Sequence, residues 1–154
     1  MRRKKSPLSK AKEALEVVQK ALVILKYGND CYTCPQRALE GSNCHLGHVP
    51  WPRAHLSVQC IYTVDYTRIQ CYSCNINKGG MGAVALERMK SEGIDTDALL
   101  KVSNQTKGKP IPLSWFTQKR EEYQRECDKL LLWNQKNLSR LSGPTSKKPT
   151  STAR

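Results

Sequence analysis

Two Cys-x-x-Cys pairs, Cys31-Tyr-Thr-Cys34 and Cys71-Tyr-Ser-Cys74, constrain this chain more than any other feature. A CxxC turn presents two sulfurs to one side of a metal, and zinc takes four thiolate or imidazole ligands in a tetrahedron. Cys31, Cys34, Cys71 and Cys74 supply a full set, so a structural zinc with no position open for a catalytic water is expected. Such a site draws the segment between the pairs back on itself. It contributes ~10–16 kcal/mol of apparent binding free energy, which becomes folding free energy where the apo site is disordered. The chain has use for that staple: 154 residues suit one domain with tails, but only 38% are hydrophobic and Phe occurs once. A core that small often needs help. His45 in place of one cysteine is the lesser alternative, and Cys44, Cys60 and Cys127 read as small core residues.

Seven cysteines also permit disulfides, but the count is odd. Arg2-Arg3-Lys4-Lys5 runs into an amphipathic pattern and not into an apolar leader. A reducing, cytoplasmic compartment is therefore expected, where paired CxxC favours metal. No stretch is long and apolar enough to span a bilayer, so no membrane role is expected. Twenty-six basic against 13 acidic side chains give a formal net charge of +13, which asks for a polyanionic partner and salt-screened phosphate contacts. With a zinc staple beside it, that charge points to nucleic acid.

Residues 1–5 form a basic arm. Residues 6–28 read as a helix from Ser6 or Ser9 to Tyr27, with Pro7 in the first turn and Gly28 just past the end. Ala11, Ala14, Leu15, Val18, Ala21, Leu22 and Leu25 form its apolar stripe, and Lys10, Lys12, Lys20 and Lys26 lie largely off it as a solvated face. Residues 29–92 hold the cysteine-bounded module. Within it Cys44–Val49 and Val58–Val64 read as short strands, Val49–Leu56 as a proline-bearing loop, and Asn75 or Gly82 to Glu92 as a helix with Val84, Ala85, Leu86 and Met89 inside. Residues 93–141 are helical: Asp95 caps a helix to about Val102 with Ala98, Leu99 and Val102 inward, and Ser114 caps a long one to Leu141. Phe116, Tyr123, Cys127, Leu130, Leu131, Leu138 and Leu141 share one side of the last helix, for packing on the core or, as the minority reading, a homodimer seam. The Ser/Thr/Pro/Lys composition of 142–154 predicts a disordered tail.

Gly47-His48 lies inside the module, and Asn75 directly follows the last cysteine of Cys71-Tyr-Ser-Cys74-Asn75-Ile-Asn-Lys78. An imidazole accepts a proton near neutral pH, and an amide oxygen binds a hard cation. Phosphodiester hydrolysis uses both, a base to activate water and a cation to offset charge on phosphorus and the leaving oxygen. Alone, the two residues are weak signals, since a single histidine is more often structural and an Asn after a knuckle often only caps a helix. Arg53 is a candidate phosphate clamp and Lys78 a second backbone contact, each equally readable as a surface cation. Trp51 reads as a loop brace, and His55 as structural.

The order CxxC, Gly-His, CxxC-Asn-x-x-Lys resembles the zinc-stapled HNH (ββα-metal, His-Me finger) nucleases, and within them the lambdoid-phage NinG/Rap recombination proteins. The likeness covers about Cys31 to Gly80: Gly47-His48, Arg53, Ala54, Tyr62 to Asp65, and Gln70-Cys71-x-x-Cys74-Asn75. It implies a hairpin-plus-helix module with His48 as general base and Asn75 as ligand of a catalytic Mg²⁺ or Mn²⁺. It also implies DNA cleavage leaving 5′ phosphates, branched recombination intermediates such as Holliday junctions and D-loops as substrates, and a phage-infected bacterial cytoplasm as the setting. Two positions depart from the pattern. Tyr66 stands where HNH proteins carry a bracing Asn, with Asp65 a possible replacement, and Gly47 stands where many carry a metal-binding Asp. Asp65 and His45 are minor candidates to assist the metal.

The expected architecture is therefore α+β, a zinc-stapled ββα-metal (HNH-like) module flanked by N- and C-terminal helices. The expected activity is metal-dependent endonucleolysis of branched DNA. The alternatives are a non-catalytic zinc-stapled DNA-binding recombination accessory or transcription factor, and an HNH nuclease of restriction, homing or packaging.

Overall fold

Ser6, in extended backbone, accepts the Ser9 N–H and starts the first helix, α1 (Pro7–Tyr27), while Gly28 at φ +82° ends it by donating its own N–H to Ile24. The computed structural model describes residues 4–141, with side chains through 137, so the expected tail over 142–154 lies outside the described residues. Leu15, Gln19, Leu22 and Val23 are the fully buried positions of α1, a line displaced slightly from the expected stripe, since Ala21 is exposed. Leu15, Leu22 and Val23 share one apolar cluster with residues of the last helix, α5 (Leu113–Leu141), which starts at Leu113 and so takes Ser114 inside it and not as its cap. Lys12 lies over the Phe116 ring near the start of both helices, and Lys26 pairs with Glu126 at 2.6 Å farther along both. The two helices consequently run parallel, with the rest of the chain looped between them. Phe116, Tyr123 and Cys127 are buried and Leu130 partly so, whereas Leu131 is exposed, outside the expected single side.

Against this helix pair lies a two-stranded antiparallel sheet, β1 (His45–His48) with β2 (Thr67–Gln70), in the register His45↔Gln70, Leu46↔Ile69, Gly47↔Arg68, His48↔Thr67. The first strand falls where the sequence places it. The second does not. Val58–Val64, read as a strand, instead forms the single-turn helix α2 (Val58–Ile61) and the start of a 3₁₀ turn (Val64–Tyr66). Ser57 decides this by accepting the Cys60 N–H as an N-cap, and Val58 and Gln59 turn outward. The burial of Cys60, Tyr62 and Val64 that imitated a strand's alternation comes from an irregular connection pinned to the helices, with the Tyr123 hydroxyl donating to Tyr62 O (3.0 Å) and accepting the Val64 N–H (3.3 Å).

On the far side sit α3 (Gly82–Ser91) and α4 (Thr96–Thr106). Ala85 and Met89 pack on Tyr32 and Val49, while Val84, expected inside, is exposed. Asp95 caps α4 as expected through the Ala98 N–H, but the helix runs four residues past Val102 and turns Ala98 and Val102 to solvent. Leu99 packs inward as expected, and the rest of the inward face is polar: Ser103 Oγ accepts the Ser57 N–H (3.0 Å), and the Tyr66 hydroxyl donates to Leu99 O (2.7 Å). Hydrogen bonds beside one leucine, and not a continuous apolar stripe, set how α4 docks. Trp51 packs with Leu56, Cys60 and Tyr66, consistent with a loop brace.

Gly47 answers to the sheet. A Cβ there would stand 2.0 Å from Gln70 Oε1, because the Gln70 side chain crosses beneath the strand to donate to Gly80 O (2.6 Å) and Thr33 Oγ1 (3.2 Å). Gly47→Ala is expected to cost about 1–3 kcal/mol by overpacking. Urea unfolding should show a lower midpoint at unchanged slope, and an unchanged midpoint would contradict this packing.

Candidate functional site

The four CxxC cysteines converge. Their sulfurs all lie within 4.8 Å of one another, and Cys34 Sγ is 3.8 Å from Cys71 Sγ. A tetrahedral ion with Zn–S bonds of ~2.3 Å puts its sulfurs ~3.8 Å apart, so the cluster has the size of a metal site. The backbone suits thiolates as well: the Cys71 N–H donates to Cys31 Sγ (3.3 Å) and the Cys74 N–H to Cys71 Sγ (3.4 Å). Burial opposes a thiolate at Cys31, but hydrogen bonds from the Cys71 and Thr33 backbone outweigh it and hold this thiol below its usual range. Cys34, against a backbone hydrogen bond at Gln36, and Cys74, chiefly by burial, are instead pushed above theirs beside the other sulfurs. The donor set thus fits a soft or borderline cation such as zinc. Cys44, Cys60 and Cys127 are buried elsewhere, and His45 bonds Ser42 O (2.8 Å) and tilts against Tyr72, taking no part in the cluster.

The cysteine cluster ties together the two ends of the sheet's surroundings. Cys31 and Cys34 enter by the turn after α1, where the Tyr32 N–H donates to Ile69 O (2.8 Å) on β2. Cys71 continues β2 directly, and Cys74 sits in a π-type turn (Ser73–Asn77) whose bond Lys78 N–H to Ser73 O is 3.0 Å. Asn75 follows Cys74 in that turn. It lines a cleft of about 350 Å³ together with Leu46, His48, Pro52, Arg53, Ile76, Gly79 and Gly80. His48, at the end of β1, Arg53, in a 3₁₀ turn (Arg53–His55), and Asn75 therefore share one opening, although they come from three separate segments.

His48 is held by its Nε2, 3.1 Å from Ile61 O. A carbonyl only accepts, so Nε2 carries the hydrogen and Nδ1 is the basic nitrogen of the neutral ring. Burial is the main cause that lowers the His48 pKa from its ordinary value. The Ile61 bond works against it, and the Arg53 charge adds to the lowering. The imidazole is thus neutral, and able to take a proton, at neutral pH. Arg53 does not stand free: its Nη2 pairs with Glu16 at 2.6 Å and donates to the Tyr62 hydroxyl at 3.1 Å, with the guanidinium over the Tyr62 ring.

Several candidates lie away from this cleft. Lys78 is exposed just beyond the turn, Asp65 is exposed on the 58–66 connection, and His55 is exposed in the turn of Arg53. Neither Asp65 nor His45 lines the cleft with His48 and Asn75. Tyr66 accepts the Val49 N–H at its carbonyl (2.9 Å), and its hydroxyl donates to Leu99 O (2.7 Å), tying this stretch to β1's end and to α4.

Two contributors were not anticipated, Glu16 and Gln19 of α1. With Leu46, His48 and Arg53 they line a second cavity of about 340 Å³ that shares the His48 wall. A signal existed for one of them. Gln19 is four residues after Leu15 and three before Leu22, a polar side chain set within a core line. In comparisons with known proteins the chain matches no family model, no curated protein and no solved structure.

Stripping metal with a strong chelator is expected to destabilise the chain between residues 29 and 80, because the four sulfurs join two of its segments at one point of the core. Circular dichroism should lose part of its signal and recover it on adding zinc. Cys71→Ser should bind less than one zinc per chain, and a chain that keeps its fold and midpoint without metal would contradict a structural role for the cluster.

Proposed function

We propose that this chain is a metal-dependent DNA endonuclease of the HNH kind, stapled by zinc on Cys31, Cys34, Cys71 and Cys74 and acting on branched recombination intermediates, as the resemblance to NinG/Rap proteins implies. The observation that carries the reading is the single cleft lined by His48, Asn75 and Arg53 in a basic chain. The order of the two paired strands and the element after them supports it too: β1 and β2, joined by a connection that carries the one-turn α2, precede the cysteine turn bearing Asn75 and helix α3.

His48 works as the base. Its Nε2–H is committed to Ile61 O, which fixes the ring and leaves Nδ1 to take a proton from water as that water attacks phosphorus. Arg53 faces the same opening and exchanges Glu16 for a phosphate, whose two oxygens match the guanidinium edge. Asn75 offers an amide oxygen on a wall where no carboxylate lines the cleft, which fits a cation that keeps most of its water and takes substrate phosphate oxygens. Mg²⁺ or Mn²⁺ held there would supply electrostatic stabilisation of the charge on the phosphate and the leaving 3′ oxygen. Lys78, exposed outside the cleft, would meet the DNA backbone beyond it. A homodimer would suit the twofold-related cuts of a four-way junction.

The second reading is a non-catalytic zinc-stapled DNA-binding protein, favoured by the same charge and cysteines without the cleft. The two separate on a panel of linear duplex, flap and four-way-junction substrates with Mg²⁺ or Mn²⁺. His48→Ala should lower cleavage at least ~100-fold, a general base's share, with zinc content and DNA affinity retained. Wild-type protein that binds every substrate and nicks none would establish the binding module instead. Cuts confined to linear duplex would point to restriction, homing or packaging.

Acidity supplies a further check. The base acts only when neutral, and burial sets its pKa below the ordinary histidine value of 6.5. Cleavage under kcat/KM conditions should therefore be level at and above neutral pH and fall tenfold per pH unit only below that ordinary value. An acid limb centred above pH 7 would contradict His48 as the base.

A further inference from the structure

Gln19 is wholly buried on α1, outside the segment that carries the resemblance, yet its carboxamide reaches the carbonyl that holds His48. Gln19 Nε2 donates to Ile61 O at 3.2 Å and to Thr63 O at 3.4 Å, and His48 Nε2 donates to the same Ile61 O at 3.1 Å. A carbonyl oxygen has two lone pairs, and here the two donors occupy both. The peptide they share lies in the 58–66 connection, which has no strand partner of its own and is anchored from α5 by Tyr123 one residue later, at Tyr62 O.

We infer that Gln19 is a positioning residue for His48: by pinning the Ile61 carbonyl from the side of α1 it fixes the imidazole's tautomer and orientation. This rests on the nuclease reading for its catalytic consequence but not for its geometry. A purely packing role accounts poorly for the residue. Among the described residues Gln19 Oε1 is buried without a hydrogen-bond partner, a cost that a leucine in the same line as Leu15 and Leu22 would avoid. What the amide provides, and leucine cannot, is a second donor for two carbonyls that each have one already, from His48 at Ile61 O (3.1 Å) and from the Tyr66 N–H at Thr63 O (3.3 Å). Without it, the Ile61 carbonyl keeps only the His48 donor and is held from one side alone, with Tyr123 anchoring the next carbonyl, so the acceptor that selects the histidine's Nε2–H form loosens.

The test uses the full zinc-loaded chain. Gln19→Met keeps the length and helical preference of the side chain and removes the amide, and Val23→Ala loosens the same helix without touching the site. Ring-nitrogen chemical shifts of His48, measured by long-range ¹H–¹⁵N correlation at a pH where the ring is neutral, should show one Nε2–H tautomer in wild type and in Val23→Ala. They should show a tautomer mixture in Gln19→Met. On junction DNA, kcat should fall on the order of 100-fold in Gln19→Met, the penalty for a misplaced group, with KM and zinc content unchanged. Should Gln19→Met fail to fold, wild type decides alone: an Nδ1–H tautomer, or side-chain amide protons of Gln19 that exchange as fast as those of an exposed glutamine, would overturn the inference. Retention of a single tautomer and of full kcat in folded Gln19→Met would overturn it as well. If wild type cleaves nothing, the nuclease reading fails separately, and the tautomer comparison still decides whether Gln19 sets His48.

Discussion

Four sulfurs drawn within one ion's reach hold the centre of this molecule. They belong to a turn just after α1 and to the end of β2, and their meeting fixes where Asn75 stands relative to the sheet. Few apolar contacts could do the same work there, since Pro35, Gln36, Arg37 and Ala38 beside the first pair are exposed. The main hydrophobic cluster spans α1, α5 and the sheet and reaches the four cysteines themselves, so core packing and sulfurs together set where His48 and Asn75 stand. The cleft exists because both anchors act on one short sheet.

How much of this was readable in the residues depends on the kind of signal. Ser6, Pro7 and Gly28 placed α1 to within a residue because capping chemistry is local. The cysteine cluster was legible because a metal's donor set is written in the spacing. The second strand was not. Thr67-Arg-Ile-Gln70 is buried on both faces, with Arg68 stacked near the Tyr27 and Tyr32 rings and Gln70 bonded under β1. A strand covered on both sides loses the alternation that betrays one, and polar residues in it read as loop. Val58–Val64 had the alternation without the pairing.

The site divides in the same way. His48, Asn75 and Arg53 drew attention through a resemblance to HNH proteins, and they do line one opening. Nothing local reveals that Glu16 would hold Arg53, because an acidic residue on an amphipathic helix looks like solvated surface until the tertiary fold sets an arginine beside it. Electrostatics between elements far apart in sequence is invisible to periodicity, as is the use of one carbonyl by two donors.

The parallel arrangement of α1 and α5 has a consequence for how the chain is made. The partner of the first helix is the last, and everything that forms the cleft is threaded between them. During synthesis Leu15, Leu22 and Val23 leave the ribosome well before Phe116 and Tyr123 exist to cover them. Contacts that span most of the polypeptide close late and slowly. The nascent chain thus carries a sticky, half-covered helix for most of its translation, and an amputated C-terminus would leave that condition permanent.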